Sequence, residues 1–225
     1  MLKKATLLSL SMAVSVILGA DEKIQKRLEE STAVLKTIVN KQDIPKSILD
    51  KAVCVLIYPG VKKVGVGIGV TYGRGVLTCR SGKDMTGKWS APAMYTLDTG
   101  SLGAQLGSTS TDFLAVVMTQ RAADKILSGK LKLGADASAV AGPNGAKAVG
   151  FNDPNVDVLT YSQAKGLFAG ASIGSASMAS DDDANKDLYG KSIDALQIIR
   201  DGAVPVPAPG SALIALLNKT SPKRL

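Results

Sequence analysis

Apolar and polar positions follow a helical period at both ends of the chain and a period of two through most of its middle. From Glu22 to Asn40, Ile24, Leu28, Leu35, Ile38 and Val39 recur at three- and four-residue steps, with Ser31 and Ala33 filling the seam. Lys23, Lys26, Arg27, Glu29, Glu30 and Lys36 occupy the other faces, so the segment predicts an amphipathic helix. Ile44-Pro45 opens a second short helix through roughly Ala52, with Pro45 suited to its first turn. A strand over Cys54–Tyr58 ends at Pro59-Gly60. A glycine-rich strand then runs to Arg80, and a third runs from Trp89 through Leu97. Phe113–Thr119, Leu131–Ala141, Ala146–Phe151, Val156–Ser162 and Leu167–Met178 read as further strands. Ala122–Leu127 predicts a short helix stopped at Ser128-Gly129, and Gly142-Pro143-Asn144-Gly145 a turn. Ser192–Arg200 and the apolar Ser211–Asn218 complete the set as helices. Many short strands closely spaced imply an α+β fold: a strongly curved antiparallel sheet or partial β-barrel, flanked by N-terminal and C-terminal helices.

Residues 65–76, GVGIGVTYGRGV, carry the strongest pattern. No frame satisfies the G-x-G-x-x-G spacing of a dinucleotide loop, and no Gly-Lys-Ser/Thr follows for a Walker loop. Gly65, Gly69 and Gly73 make G-x-x-x-G steps, yet the run is too short to cross a bilayer, and Lys62, Lys63 and Arg74 flank or interrupt it. Val66, Ile68, Val70, Tyr72 and Val76 alternate with glycine or threonine, which makes a strand with a bare face. Such a face costs backbone entropy and makes sense where another backbone approaches or the sheet bends sharply. Gly170, Ser172 and Gly174 form a second bare face.

Composition narrows the chemistry. Among 225 residues there are only nine aromatic side chains and no histidine, which removes Ser-His-Asp and Cys-His catalysis and every His-containing zinc site. Lys3-Lys4, the apolar run Ala5–Leu18 and the small pair Gly19-Ala20 read as a signal peptide over residues 1–20, with an uncleaved anchor as the alternative although fourteen apolar residues are short for a span. Residues 21–225 then form a single exported domain, core about 25–200 with an extension over 201–225, periplasmic or secreted and able to associate peripherally with a membrane. Losing Lys3 and Lys4 lowers the net charge from +8 to +6, so the chain still favours acidic partners. Cys54 and Cys79 both lie in apolar strands; a disulfide and two buried thiols are equally open.

Several motifs fall in an order that resembles the SYLF domain. They are Ile44-Pro45, the glycine-rich strand ending in Arg80, Trp89-Ser90-Ala91-Pro92, Gly134-Ala135-Asp136-Ala137-Ser138, Gly142-Pro143, Tyr161-Ser162, Lys165-Gly166-Leu167-Phe168-Ala169-Gly170, and Asn185 with Tyr189-Gly190. That lipid-binding family includes the fungal actin-regulating, Las17-binding proteins, and the resemblance covers about residues 25–200. It implies a non-enzymatic module that binds membranes, with phosphoinositides as ligands in eukaryotic relatives and actin as a further partner in the fungal ones. Its basic amphipathic N-terminal segment matches Lys23, Lys26, Arg27, Lys36 and Lys41 in position and character, and Lys46, Lys62 and Lys63 join them as head-group contacts. For an exported chain the expected ligand is the anionic phospholipid of its own envelope, with no cofactor, no nucleic acid and no small-molecule substrate.

Other chemistries are weaker. Asp181–Asp187 places oxygens as a calcium loop does, but Lys186 stands where glycine is required and Ser192 where the bidentate glutamate belongs. A solvated acidic turn is the expectation there. Asp136 with Lys132 or Lys165 offers a catalytic pair without a second carboxylate. The alternative function is an envelope protein–protein interaction or structural role, using the small-residue faces and the apolar Ala212–Leu217 helix; a hydrolase ranks well below both.

Overall fold

The computed structural model describes residues 6–41, 44–129, 131–133, 136–141, 156–165 and 176–225. Helix α1 spans Thr6–Asn40 and α2 Lys46–Lys51. Two long strands follow, β1 over Cys54–Cys79 and β2 over Ala93–Val117. After α3 (Gln120–Leu127) come β3 (Leu131–Lys132), β4 (Ala139–Ala141), β5 (Val158–Lys165) and β6 (Ser177–Ser180). The chain closes with α4 (Asp182–Tyr189), α5 (Ala195–Ile199), a 3-10 turn at Ala208–Gly210 and α6 (Ser211–Thr220).

Among the described residues the sheet has six strands in the order β3-β6-β2-β5-β4, with β1 paired to β2 off that path. All its strand pairs are antiparallel except β4 with β5. The expected Cys54–Tyr58 and glycine-rich strands are one strand. Pro59-Gly60 does not end it but makes a bulge between Tyr58 and Val61, with Gly60 at φ +57°. A second shift lies between Val66 and Ile68. Likewise β2 runs through the segment that separates the expected strands ending at Leu97 and starting at Phe113.

The bare face of β1 lets this hairpin curl on itself. A Cβ on Gly75 would lie 2.2 Å from the Ile57 carbonyl oxygen and 2.5 Å from Tyr58 Cδ1, so the strand's end packs directly on its beginning. The Arg80 amide donates to the Val53 carbonyl at 2.8 Å, and Cys54 and Cys79 are joined as a disulfide across the same closure.

Alternate residues of the buried strands feed two cores. Cys54, Leu56 and Tyr58 pack with Phe113, Tyr95, α3 (Ala122, Ile126) and α5 (Ile198, Ile199). Val55 and Ile57 pack with Leu114, Val116, α1 (Leu28, Leu35, Ile38), α2 (Ile48, Leu49) and α6 (Leu213, Leu217). Helices therefore cover both faces of the sheet where the ends of the hairpin meet, at Cys54–Tyr58, Val76–Cys79 and Phe113–Val117. The turn expected at Gly142–Gly145, the strand at Ala146–Phe151 and the second bare face at Gly170–Gly174 lie outside the described residues.

Candidate functional site

The α1 stripe is used by the protein itself. Ile24, Leu28, Val34, Leu35 and Ile38 are buried, with Val39 half-buried beside them. Each large aliphatic side chain is worth about 1.5–3 kcal/mol when buried, so peeling α1 away would cost about 10 kcal/mol, the size of a whole domain's stability. A surface that meets docked α1 thus meets its polar side. Lys23, Lys26, Lys36 and Lys41 are exposed there, but so are Glu22, Glu29 and Glu30. Lys26 Nζ lies 4.0 Å from Glu30 one turn on.

Arg27 behaves differently from those lysines. Its guanidinium donates to Asp181 at 3.0 Å, and both side chains are only 11% exposed. Burial, with a smaller contribution from Arg74, holds its pKa below the ordinary value, while Asp181 opposes that shift. The pair ties α1 to the start of α4. Lys46 is exposed and bonds both oxygens of the buried Asp50 at 2.8 and 2.6 Å. Lys62 is exposed on β1 opposite Ser110, and the side chain of Lys63 lies outside the described residues. The eight lysines and arginines are thus spread along α1, α2 and β1 rather than converging on one point.

Between α1 and the Pro59-Gly60 bulge lies an open cavity of about 390 Å³, lined by Glu30, Ala33, Val34, Thr37, Pro59, Gly60, Ser110 and Asp112. Asp112 Oδ1 accepts from the Gly60 amide at 2.9 Å, which fixes the bulge that shapes this wall. The groove is carboxylate-lined, not basic.

Two buried polar centres have no counterpart in the sequence expectations. Arg80 is fully buried, 4.1 Å over the Trp89 ring, and its Nη2 donates to Ser221 Oγ at 2.5 Å. Its Nε and Nη1 have no hydrogen-bond partner. Burial brings its pKa down to about 10, with Arg224 adding to that and Asp50 opposing it. Ser221 donates onward to the Leu49 carbonyl at 3.0 Å and accepts at its own carbonyl from Trp89 Nε1 at 3.0 Å. Trp89 is therefore a packing residue, as is Tyr161, 3% exposed with its hydroxyl unpartnered. The second centre is Asp157, 1% exposed, which accepts from Thr119 Oγ1 at 2.6 Å, Arg121 Nη2 at 2.7 Å and the Ser138 amide at 3.1 Å. Burial raises its pKa, but these donors outweigh it and the net shift is downward.

The catalytic and calcium candidates are used structurally. Asp136 accepts from the Lys132 amide at 2.9 Å, closing a turn. Asp181 caps α4 by accepting from the Ala184 amide, with Asp182 and Asp183 in the first turn where a helix favours negative charge. The expected acidic turn is this helix. Among the described residues no cluster of three or more metal-ligating side chains occurs, and no helix is long and apolar enough to cross a membrane.

This curled hairpin with its flanking helices has known relatives. The profile of the Ysc84 family, described as Las17-binding protein actin regulator, matches residues 98–220. The chain belongs to this family. It is 32% identical over 188 residues to the SH3 domain-containing protein PJ696.02 of Schizosaccharomyces pombe, covering 81% of this chain and 43% of that protein. It is 32% identical over 172 residues to LAS seventeen-binding protein 3 of Saccharomyces cerevisiae, covering 74% of this chain and 37% of that one. The human SH3 domain-containing YSC84-like protein 1 is 27% identical over 205 residues, or 90% of this chain and 58% of its own. The chain thus spans about two-fifths of the two yeast relatives. Within the Ysc84 match lie most of β2 (from Asp98), Asp157, the Asp181 cap and α6, whereas α1 and the glycine-rich β1 precede it.

Proposed function

We propose that this Ysc84-family chain is a non-enzymatic module that binds the anionic phospholipid surface of a cell envelope after export. The observation that carries the reading is a lysine-rich surface on a chain of net charge +8, of which α1 is one part. The apolar stripe of α1 is consumed by the core, while Lys23, Lys26, Lys36 and Lys41 remain at the surface. Contact of that kind is electrostatic: it strengthens with the fraction of anionic lipid and weakens as salt screens it. Export draws support from the Lys3-Lys4 and Ala5–Leu18 pattern and from the Cys54–Cys79 disulfide, a bond that persists in oxidising compartments. The test is sedimentation with phosphatidylcholine vesicles, with and without phosphatidylglycerol, at low and high salt. Selective, salt-sensitive binding supports the reading, and indifference to phosphatidylglycerol sinks it.

A protein-partner role is the second reading. It is favoured by the open groove beside Pro59-Gly60, whose Glu30 and Asp112 suit a basic peptide, and by relatives named for binding LAS seventeen. It predicts that Glu30→Gln weakens capture of a lysine-rich peptide without altering vesicle binding.

A further inference from the structure

Among the described residues a second group of cations lies away from α1. Residues 221–225 run back from α6 across α2 and the loop that joins β1 to β2, held by named hydrogen bonds. Arg224 Nε donates to the Lys51 carbonyl at 3.3 Å, and its Nη1 donates to the Asp84 and Met85 carbonyls at 3.3 and 3.4 Å. The Leu225 amide donates to the Asp50 carbonyl at 2.8 Å, and Ser221 is clamped between Arg80, Trp89 and Leu49. The Ser81 amide donates to the Lys88 carbonyl at 2.8 Å, closing the loop beside Trp89. These contacts gather Lys51, Lys83, Lys88, Lys219, Lys223 and Arg224 into one neighbourhood. The carboxylates there are Asp84, the α-carboxylate of Leu225 and the buried Asp50, which Lys46 already holds, against the six cations. The charge is thus strongly positive, whereas exposed lysines and glutamates nearly balance along α1.

The apolar content of this patch distinguishes its occupant. Leu225 is 80% exposed, the most exposed large hydrophobic side chain among the described residues, and its amide bond to Asp50 keeps it in place beside Arg224. An exposed leucine next to Lys223 and Arg224 in the chain matches a membrane interface, where the aliphatic group enters the head-group boundary and the cationic groups meet lipid phosphates. A single-stranded nucleic acid would call for stacking rings, and the aromatic at this place, Trp89, is 4% exposed beneath Arg80.

We propose that the surface formed by residues 219–225, the end of α2 and the β1–β2 loop is the docking face for an anionic phospholipid bilayer. The proposal rests on the lipid-binding reading above and locates its principal contact away from α1. Arg80 serves it as a positioning residue: buried, stacked over Trp89 and bonded to Ser221, it fixes the path of the tail that carries the cations.

The test compares two charge reversals of equal size in the full chain. One variant carries Lys88→Glu, Lys219→Glu and Lys223→Glu, and the other Lys23→Glu, Lys26→Glu and Lys36→Glu. Dissociation constants are measured on phosphatidylcholine vesicles containing phosphatidylglycerol, with pure phosphatidylcholine vesicles as the reference. The tail variant is expected to bind at least about tenfold more weakly, and the α1 variant no more than about threefold. Equal losses, or a loss confined to the α1 variant, overturn the proposal and leave the lipid-binding reading standing. No preference of the unmodified chain for phosphatidylglycerol overturns both. Tighter binding to a duplex DNA oligomer than to the anionic vesicles overturns the bilayer as the occupant. A matching set of Lys→Gln changes, expected to weaken binding in the same order, covers the case in which reversal at Lys219 unsettles α6. Leu225→Ser should weaken binding severalfold while leaving its salt dependence unchanged; no change overturns the role of the leucine.

Discussion

Replacing Ser221 by alanine tests the energetic centre of the tail anchor. The Ser221 hydroxyl accepts the hydrogen bond that Arg80 Nη2 makes and donates to the Leu49 carbonyl, all within the core. Because Arg80 Nε and Nη1 are already unpartnered, Ser221→Ala leaves a fully buried guanidinium with only the Trp89 ring for company. A hydrogen bond to a charged group is worth about 1.5–3 kcal/mol and a neutral one about 1 kcal/mol, so the expected loss is about 3 kcal/mol. For a chain of this size that lowers Tm by about 6–12 °C. Arg80→Met removes the charge itself. Its several-kcal/mol burial cost then offsets the lost cation–π contact of about 2 kcal/mol, so the single change should fall within about 1 kcal/mol of the parent. In the Arg80→Met background, Ser221→Ala should cost only the Leu49 bond, about 1 kcal/mol, leaving a coupling of about 2 kcal/mol between the two sites. Urea unfolding of the four proteins measures this cycle. A Ser221→Ala cost that is the same in both backgrounds would refute the claim that the hydroxyl compensates a buried cation.

Three further outcomes follow from the structure. Gly75→Ala should cost more than about 3 kcal/mol, because its Cβ would meet the Ile57 backbone at 2.2 Å. Gly73→Ala meets only Val61 Cγ2 at 3.0 Å and should cost less; calorimetric melting of both decides the order. Asp157→Asn should cost about 2 kcal/mol near neutral pH. The folded pKa is depressed, so the carboxylate's contribution is present above its usual range near 4 and lost as pH falls through the folded value, and the variant's deficit should shrink in acid urea titrations. The tyrosines set the alkaline limit. Burial raises the Tyr161 pKa from its usual 10 to about 12 and pushes Tyr58, Tyr95 and Tyr189 up as well. Above pH 10 the unfolded chain binds fewer protons at these sites, so stability falls by about 1.4 kcal/mol per pH unit for each. Arg80, whose folded pKa is lowered to about 10, acts in the opposite direction as a single group. Urea midpoints should therefore drop between pH 9 and pH 11, and Tyr161→Phe should make that drop shallower; an unchanged midpoint contradicts the burial of these hydroxyls.

The legible parts of the fold were those in which local pattern and tertiary environment agree. The α1 stripe is read from Ile24, Leu28, Leu35 and Ile38 because each is buried where the helical period places it. The bare face of β1 pointed to close backbone approach, and Gly75 against Ile57 is that approach. The α3 stop was legible because Gly129 sits at φ +68°, a conformation glycine adopts freely. The long hairpin was hidden because Pro59-Gly60 is a usual strand terminator, whereas here the bulge is pinned by the bond from the Gly60 amide to Asp112, 52 residues on, and pairing with β2 resumes at Val61. Arg27 resembled a surface cation for the same reason: its partner, Asp181, is 154 residues away. Arg80 and Asp157 were missed because buried charges follow no local period, and their partners come from the residue after α6, from α3 and from the segment before β4. Among the candidate lipid contacts, residue type and exposure were readable for Lys23, Lys26, Lys36, Lys41, Lys46 and Lys62. Their dispersal, and the gathering of Lys51, Lys83, Lys88, Lys219 and Lys223 around Arg224, emerge only when the tail folds across α2.

The most direct test of the account is the salt dependence of binding by the unmodified chain to vesicles with and without phosphatidylglycerol. A cationic docking surface gives tight association with the anionic vesicles at low salt, a steep loss as salt rises, and weak binding to neutral vesicles throughout. Binding that ignores lipid charge and salt alike would contradict it.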